Sequence, residues 1–193
     1  MPHEQNRVQD CVRAKCFELV GPNGCVVGRW SVEEDEPVLS LADQSGQPRI
    51  QLRVANNGSP SVRLFDQEGT LRLSAQFDED DDGHYAVGLS VRDNTGAIRS
   101  RIGQDLEGQF AVSLLDGNAQ LRAQVTLTND DKPSIALHDN EGQIRATMLL
   151  DDNEPTLGFL DANGNAVASL CTDTNGDPRV IARNKRVGQV VWP

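Results

Sequence analysis

Aromatic side chains are scarce in this chain. Two Trp, one Tyr and five Phe make up 4% of 193 residues. So small a set excludes a stacking platform for sugars or single-stranded nucleic acid. Histidine is scarcer still: His3, His84 and His138. No Ser-nucleophile motif and no His-Glu-x-x-His run accompanies them, so they read as surface or turn residues rather than a catalytic centre. Positive charge is also short. Lys and Arg number 18 against 29 Asp and Glu, a net charge of −11, which argues against nucleic acid or an anionic membrane as the partner. No apolar run approaches the roughly 20 residues of a membrane helix. The opening Met1-Pro2-His3-Glu4-Gln5-Asn6-Arg7 lacks the basic and apolar regions of a secretory signal. The expected location is therefore cytoplasmic.

Cysteine occurs four times, at Cys11, Cys16, Cys25 and Cys171. No pair has Cys-x-x-Cys spacing, so a zinc site is not expected. Cys16 and Cys25 fall on the two arms of a first hairpin. Without a secretion signal, free thiols are the expected state.

What the chain does have is a repeat. Asp43, Asp66, Asp93, Asp116, Asp139 and Asp161 each follow an alternating apolar pair, and Gly21 and Asn184 extend the register at either end. These eight anchors recur every 22 to 27 residues. The longest step holds the acidic run Asp78-Glu79-Asp80-Asp81-Asp82, an insertion that a solvated loop tip tolerates. Four residues before the anchors stand Phe17, Leu39, Val62, Leu89, Val112, Ile135, Leu157 and Val180. Two before stand Leu19, Leu41, Leu64, Val91, Leu114, Leu137, Phe159 and Ala182. All sixteen are apolar, against about six expected from composition, and the residue between them is mostly small or polar. That is the period-2 signature of a strand with one buried face.

Three residues past most anchors comes a glycine: Gly24, Gly46, Gly69, Gly96, Gly142 and Gly164, with Ala119 and Val187 as exceptions. Asp at the start and Gly at the end suit a type I turn closed by a residue of positive φ. A second strand follows. Arg49, Arg72, Arg99, Arg122 and Arg145 lie six past the anchors, on the parity opposite to Leu52, Ile102, Val125, Met148 and Leu170. Each unit closes with a further turn. Pro37, Pro60, Pro133, Pro155 and Pro178 lie near the start of the next strand, where a missing N–H is tolerated.

The organisation predicted is an N-terminal tail over residues 1–14, with room for at most one helical turn, and a single all-β repeat domain over 15–193. Two architectures share the pattern. In a hairpin meander consecutive strands pair antiparallel; in a two-sided β-solenoid like strands stack in parallel. The meander is favoured on two grounds. If the residue before the Asp pairs with the residue after the Gly, Leu64 faces Leu71, Val62 faces Leu73 and Leu137 faces Ile144, all apolar on apolar. A solenoid would also stack like charges at strand spacing. Sixteen strands closed into a round barrel would leave a wide lumen lined by Leu, Val and Ile. The expectation is therefore two packed sheets, as a flattened barrel or sandwich, with apolar faces inward. Trp30 and Trp192 would cap the first and last units and approach one another on closure.

The unit apolar-x-apolar-x-Asp-x-x-Gly-x-apolar-Arg resembles tandem-repeat segments of bacterial proteins with no established activity. The stretch Val12-Arg13-Ala14-Lys15-Cys16-Phe17-Glu18-Leu19-Val20-Gly21-Pro22-Asn23-Gly24 is similar to the first unit of such arrays. The resemblance implies architecture and carries no activity. The missing Arg in the last two units implies end units modified as caps.

No catalytic, cofactor-binding or metal-ligating residue is assigned. The oxygen-rich stretches Asp161-Ala162-Asn163-Gly164-Asn165, Asp173-Thr174-Asn175-Gly176-Asp177 and 78–82 offer ligands of the kind calcium takes, yet Asp-x-Asn-Gly is also good turn chemistry. The five Arg fit pairing with turn carboxylates better than a binding stripe. The expected function is non-enzymatic: a structural or scaffolding repeat protein presenting a polar β-surface. Its partner would be another protein, or further copies joined through the N- and C-terminal units. The alternative is a calcium- or carbohydrate-binding adhesive module.

Overall fold

A computed structural model describes residues 12–79, 85–104, 108–127, 130–151, 154–173, 175–184 and 188–192. Within these, the chain forms one sheet of sixteen strands in sequential order. They are β1 (Cys16–Val20), β2 (Val26–Glu33), β3 (Glu36–Ala42), β4 (Pro48–Val54), β5 (Pro60–Phe65), β6 (Leu71–Glu79), β7 (Tyr85–Arg92) and β8 (Ile98–Gln104). There follow β9 (Phe110–Leu115), β10 (Leu121–Leu127), β11 (Pro133–His138), β12 (Ile144–Asp151), β13 (Glu154–Leu160), β14 (Ala166–Thr172), β15 (Pro178–Asn184) and β16 (Gly188–Trp192). Every neighbouring pair is antiparallel. The hairpin meander is therefore the architecture, and the parallel stacking of a solenoid is absent among the described residues.

The register differs from expectation by one device. Phe65 pairs with Leu71, but Leu64 pairs with Leu73 and Val62 with Ala75. Likewise Leu137 pairs with Ala146, not Ile144. A register shift just before each Asp turn leaves one residue of the following strand unpaired, as in a β-bulge. The slip is an even number of residues overall, so apolar side chains still meet on one face.

At the opposite edge the β2–β3 connection is a two-residue loop. Glu34 and Asp35 both take positive φ, 52° and 68°, which matches the twist of the flanking strands.

The expected two-layer closure is not formed. Each strand contacts only its neighbours in sequence, and β1 and β16 lie at opposite ends of the sheet. The physical reason is local. Tight turns follow one another without a long crossover, so nothing carries one half of the sheet over the other. The core expected between two layers is missing too. Among the described residues one apolar side chain, Val38, is buried (2% exposed), and it is joined by the polar Ser74 (2% exposed). Trp30 is 60% exposed, its ring tilted by 34° against that of Phe17 with centroids 6.2 Å apart. Trp192 stands in the last strand, far from it in the sheet order.

Two positions test this backbone. Ala119 replaces the turn glycine of other units yet takes φ 60°, a region that costs an L-residue roughly 1 kcal/mol. Ala119→Gly should raise stability by about that amount in urea unfolding. On β8, a Cβ on Gly103 would overlap the Val87 carbonyl and lie 2.6 Å from Gly88 Cα. Gly103→Val should therefore destabilise by roughly 1–3 kcal/mol. A neutral result would mean that β7 and β8 do not approach so closely.

Candidate functional site

The recurrent polar feature is an aspartate clamp at one edge of the sheet. In the Asp43 turn the Gly46 N–H donates to the Asp43 carbonyl at 3.0 Å, and the Asp43 N–H donates to the Gln47 carbonyl at 3.0 Å. The same pair of bonds closes the turns at Asp66, Asp93, Asp116, Asp139 and Asp161. The carboxylate then ties the loop from inside. Asp66 Oδ1 accepts the N–H groups of Glu68 (3.1 Å) and Thr70 (2.8 Å). Asp116 Oδ1 does the same with Asn118 (2.8 Å) and Gln120 (3.1 Å).

The second carboxylate oxygen takes the arginine six residues on. Arg49, Arg72, Arg99, Arg122 and Arg145 each pair with the Asp of their own turn. Four of them also reach into the next unit. Arg49 donates to the Asp66 carbonyl and Arg122 to the Asp139 carbonyl. Arg72 donates to the Arg92 carbonyl (3.0 Å) and Arg99 to the Leu115 carbonyl (3.0 Å). The arginines are thus committed to turns rather than to an external ligand.

One clamp was hidden in the sequence by its position. Asp173 lies at the other edge, yet it binds the N–H groups of Asn175 (2.9 Å) and Asp177 (3.1 Å), and pairs with Arg179 at 2.8 Å. The spacing Asp-x-x-Gly-x-x-Arg is the signal, shared with the first edge but out of phase with the anchors.

Asp161 and Asp173, the candidate calcium positions, spend Oδ1 on backbone N–H groups. A cation there would have to displace those donors. Asp80, Asp81, Asp82 and His84 lie outside the described residues, as do His3 and Cys11. Cys16, Cys25 and Cys171 are free thiols. His138 Nδ1 lies 3.1 Å from the Gly142 carbonyl, and its Nε2 is buried without a partner. Among the described residues no three His, Cys, Asp or Glu side chains converge on a metal position.

The two faces of the sheet differ sharply. On one, a middle row runs from Glu18 and Arg29 through Ser40, Gln51, Arg63, Ser74, Ser90, Arg101 and Ser113 to Gln124. A shallow trough of about 550 Å³ lies on this face over β6–β10, lined by Ser74, Ser90, Arg92, Arg101, Ser113 and Gln124 among others.

The other face is predominantly apolar, interrupted by Ser100, Gln104 and Thr172. Its middle row begins Phe17, Trp30, Leu39, Leu52, Val62, Ala75, continues through Ile102, Val112, Val125 and Met148, and reaches Val180. A flanking row on the Asp-turn side includes Leu41, Ile50, Leu64, Leu73, Leu114 and Phe159. A third, on the opposite side, includes Pro37, Val54, Phe77, Phe110 and Leu127. No position in the three rows carries a charge. Most of these side chains are exposed: Leu114 is 52% open to solvent. A groove of about 490 Å³ opens here between Trp30, Leu39, Leu52, Val62 and Phe77.

No protein-family model matches the chain, and no curated protein sequence is similar to it. Among the described residues no helix is long and apolar enough to cross a membrane.

The clamps set an acid limit. Hydrogen bonds from the Thr95 hydroxyl and backbone hold Asp93 down to about 2, from an ordinary 3.8. The Ser45 hydroxyl and then Arg49 hold Asp43 well below the usual carboxylate range. Backbone N–H groups of Gln120, Asn165 and Asn175 lead the lowering at Asp116, Asp161 and Asp173. With folded values depressed, the unfolded chain binds protons first as pH falls, so the stabilisation is whole above the unfolded value and lost below it. The thermal midpoint should be level above about pH 5 and fall from about pH 4 towards pH 2. A midpoint unchanged down to pH 2 would show that the clamps carry no stability.

Proposed function

We propose that this chain is a non-enzymatic structural repeat protein, a scaffold that acts by presenting its long sheet to protein. The observation that supports this best is the uncovered apolar face that runs from β1 to β15 among the described side chains. Contiguous exposed apolar patches beyond a few hundred Å² mark interaction surfaces. The polar groups that chemistry would need are spent on the fold itself, since the turn aspartates hold N–H groups and arginines. The opposite face carries a polar middle row from Glu18 to Gln124, but the face that calls for a partner is the apolar one. Free thiols at Cys16, Cys25 and Cys171 fit a reducing, cytoplasmic setting. The end strands, which expose unpaired backbone groups, are a second surface through which such a scaffold could meet a partner.

Absolute mass by size-exclusion chromatography with multi-angle light scattering tests it. The expected result is a defined multiple of 21.0 kDa, or a mass that rises with concentration. A 21 kDa species at every concentration would overturn the self-assembly form of the proposal.

A further inference from the structure

The scaffold reading leaves open which surface makes the contact, and the area of the molecule bears on it. The chain exposes 14098 Å². A folded monomer of 21.0 kDa is expected to expose roughly 9,000 Å². The excess, about 5,000 Å² per chain, is of the size that permanent oligomer interfaces bury. A single-layer sheet leaves both faces open, and the apolar one has three rows that contain no charge, so covering it desolvates no ion.

The occupant must fit a surface that repeats at strand spacing. Rows of side chains recur about every 4.8 Å across sixteen strands. Another copy of this chain has the same spacing, the same length and the same apolar rows, and two sheets packed about 10 Å apart interdigitate such rows. The rims fit as well. At the first turn edge, the clamp carboxylates of units anchored at Asp43, Asp66, Asp93, Asp116 and Asp139 are already paired with arginines of their own chain. Two copies can therefore approach without setting unpaired clamp charges against each other. A bilayer is a poorer occupant. Three rows along a strand span about 14 Å, short of the roughly 25 Å apolar band of a membrane barrel. The net charge of −11 also opposes adsorption to anionic lipid.

We propose that a second copy of this chain covers the apolar face, row against row, and that this contact, rather than pairing of the end strands, holds the assembly together. The inference rests on the scaffold reading, and its test separates the two. Leu114→Asp combined with Val125→Asp puts two carboxylates on the face at positions already half open to solvent. Ser113→Asp places one on the opposite face of the same strand. Light scattering should show the double variant at 21 kDa, with an unchanged β-type circular dichroism spectrum, while Ser113→Asp keeps the wild-type mass. A double variant that keeps the wild-type mass overturns the face assignment and leaves the scaffold standing. A wild-type chain that is monomeric at all concentrations overturns the second-copy proposal and the self-assembly form of the scaffold reading, and leaves a scaffold for a different protein standing.

A second readout does not depend on the double variant folding. Trp30 stands in the middle apolar row and is open in the single chain. With Trp192→Phe, Trp30 is the only fluorophore of its kind. Acrylamide should quench it several-fold less in the assembled form than in a diluted, dissociated sample. Equal quenching in both overturns the proposal.

Discussion

A carboxylate that closes a loop from within organises this molecule. Most turn aspartates answer two backbone N–H groups that would otherwise face water, and those at 43, 66, 93, 116 and 139 offer the other oxygen to the arginine six residues on, at the start of the next strand. The arginine in turn satisfies a carbonyl in the following unit at Asp66, Arg92, Leu115 and Asp139. A local turn preference thereby becomes a link between units. It also sets the register, because a five-residue loop with its bulge admits one pairing of the flanking strands.

The consequence is a fold whose contacts are all between sequence neighbours. Such an array behaves as a one-dimensional chain of units, with stability that adds from one interface to the next. Contacts of low sequence separation also favour rapid formation. What the array does not contain is a place to put its apolar side chains. Val38 is buried almost alone, on the face opposite the apolar rows, so cross-strand pairs such as Leu64 with Leu73 and Leu157 with Leu170 supply the packing that a core usually gives.

The sequence made the strands, the Asp turns and the meander legible, because period-2 alternation and Asp-x-x-Gly both have local causes. It misplaced the pairing of Leu64 and Leu137, since a bulge consumes a residue without changing the apolar pattern. It also predicted two closed layers from the sound argument that apolar faces must be covered, and assumed that the chain would do so alone. Alternation tells which face is apolar; it does not tell whose side chains meet it. The turn at Asp173 was legible, but its pairing with Arg179 was not, because that Asp-x-x-Gly-x-x-Arg spacing lies out of phase with the anchors, at the other edge.

The unit also has a metric meaning. Each repeat adds two strands, and so advances the sheet by roughly 9.6 Å, while returning the chain to the same edge with the same face outward. Gain or loss of a whole unit by recombination would change the length of the molecule in fixed steps and leave every surviving turn, pair and face as it was. The sheet is a ruler graduated by copy number.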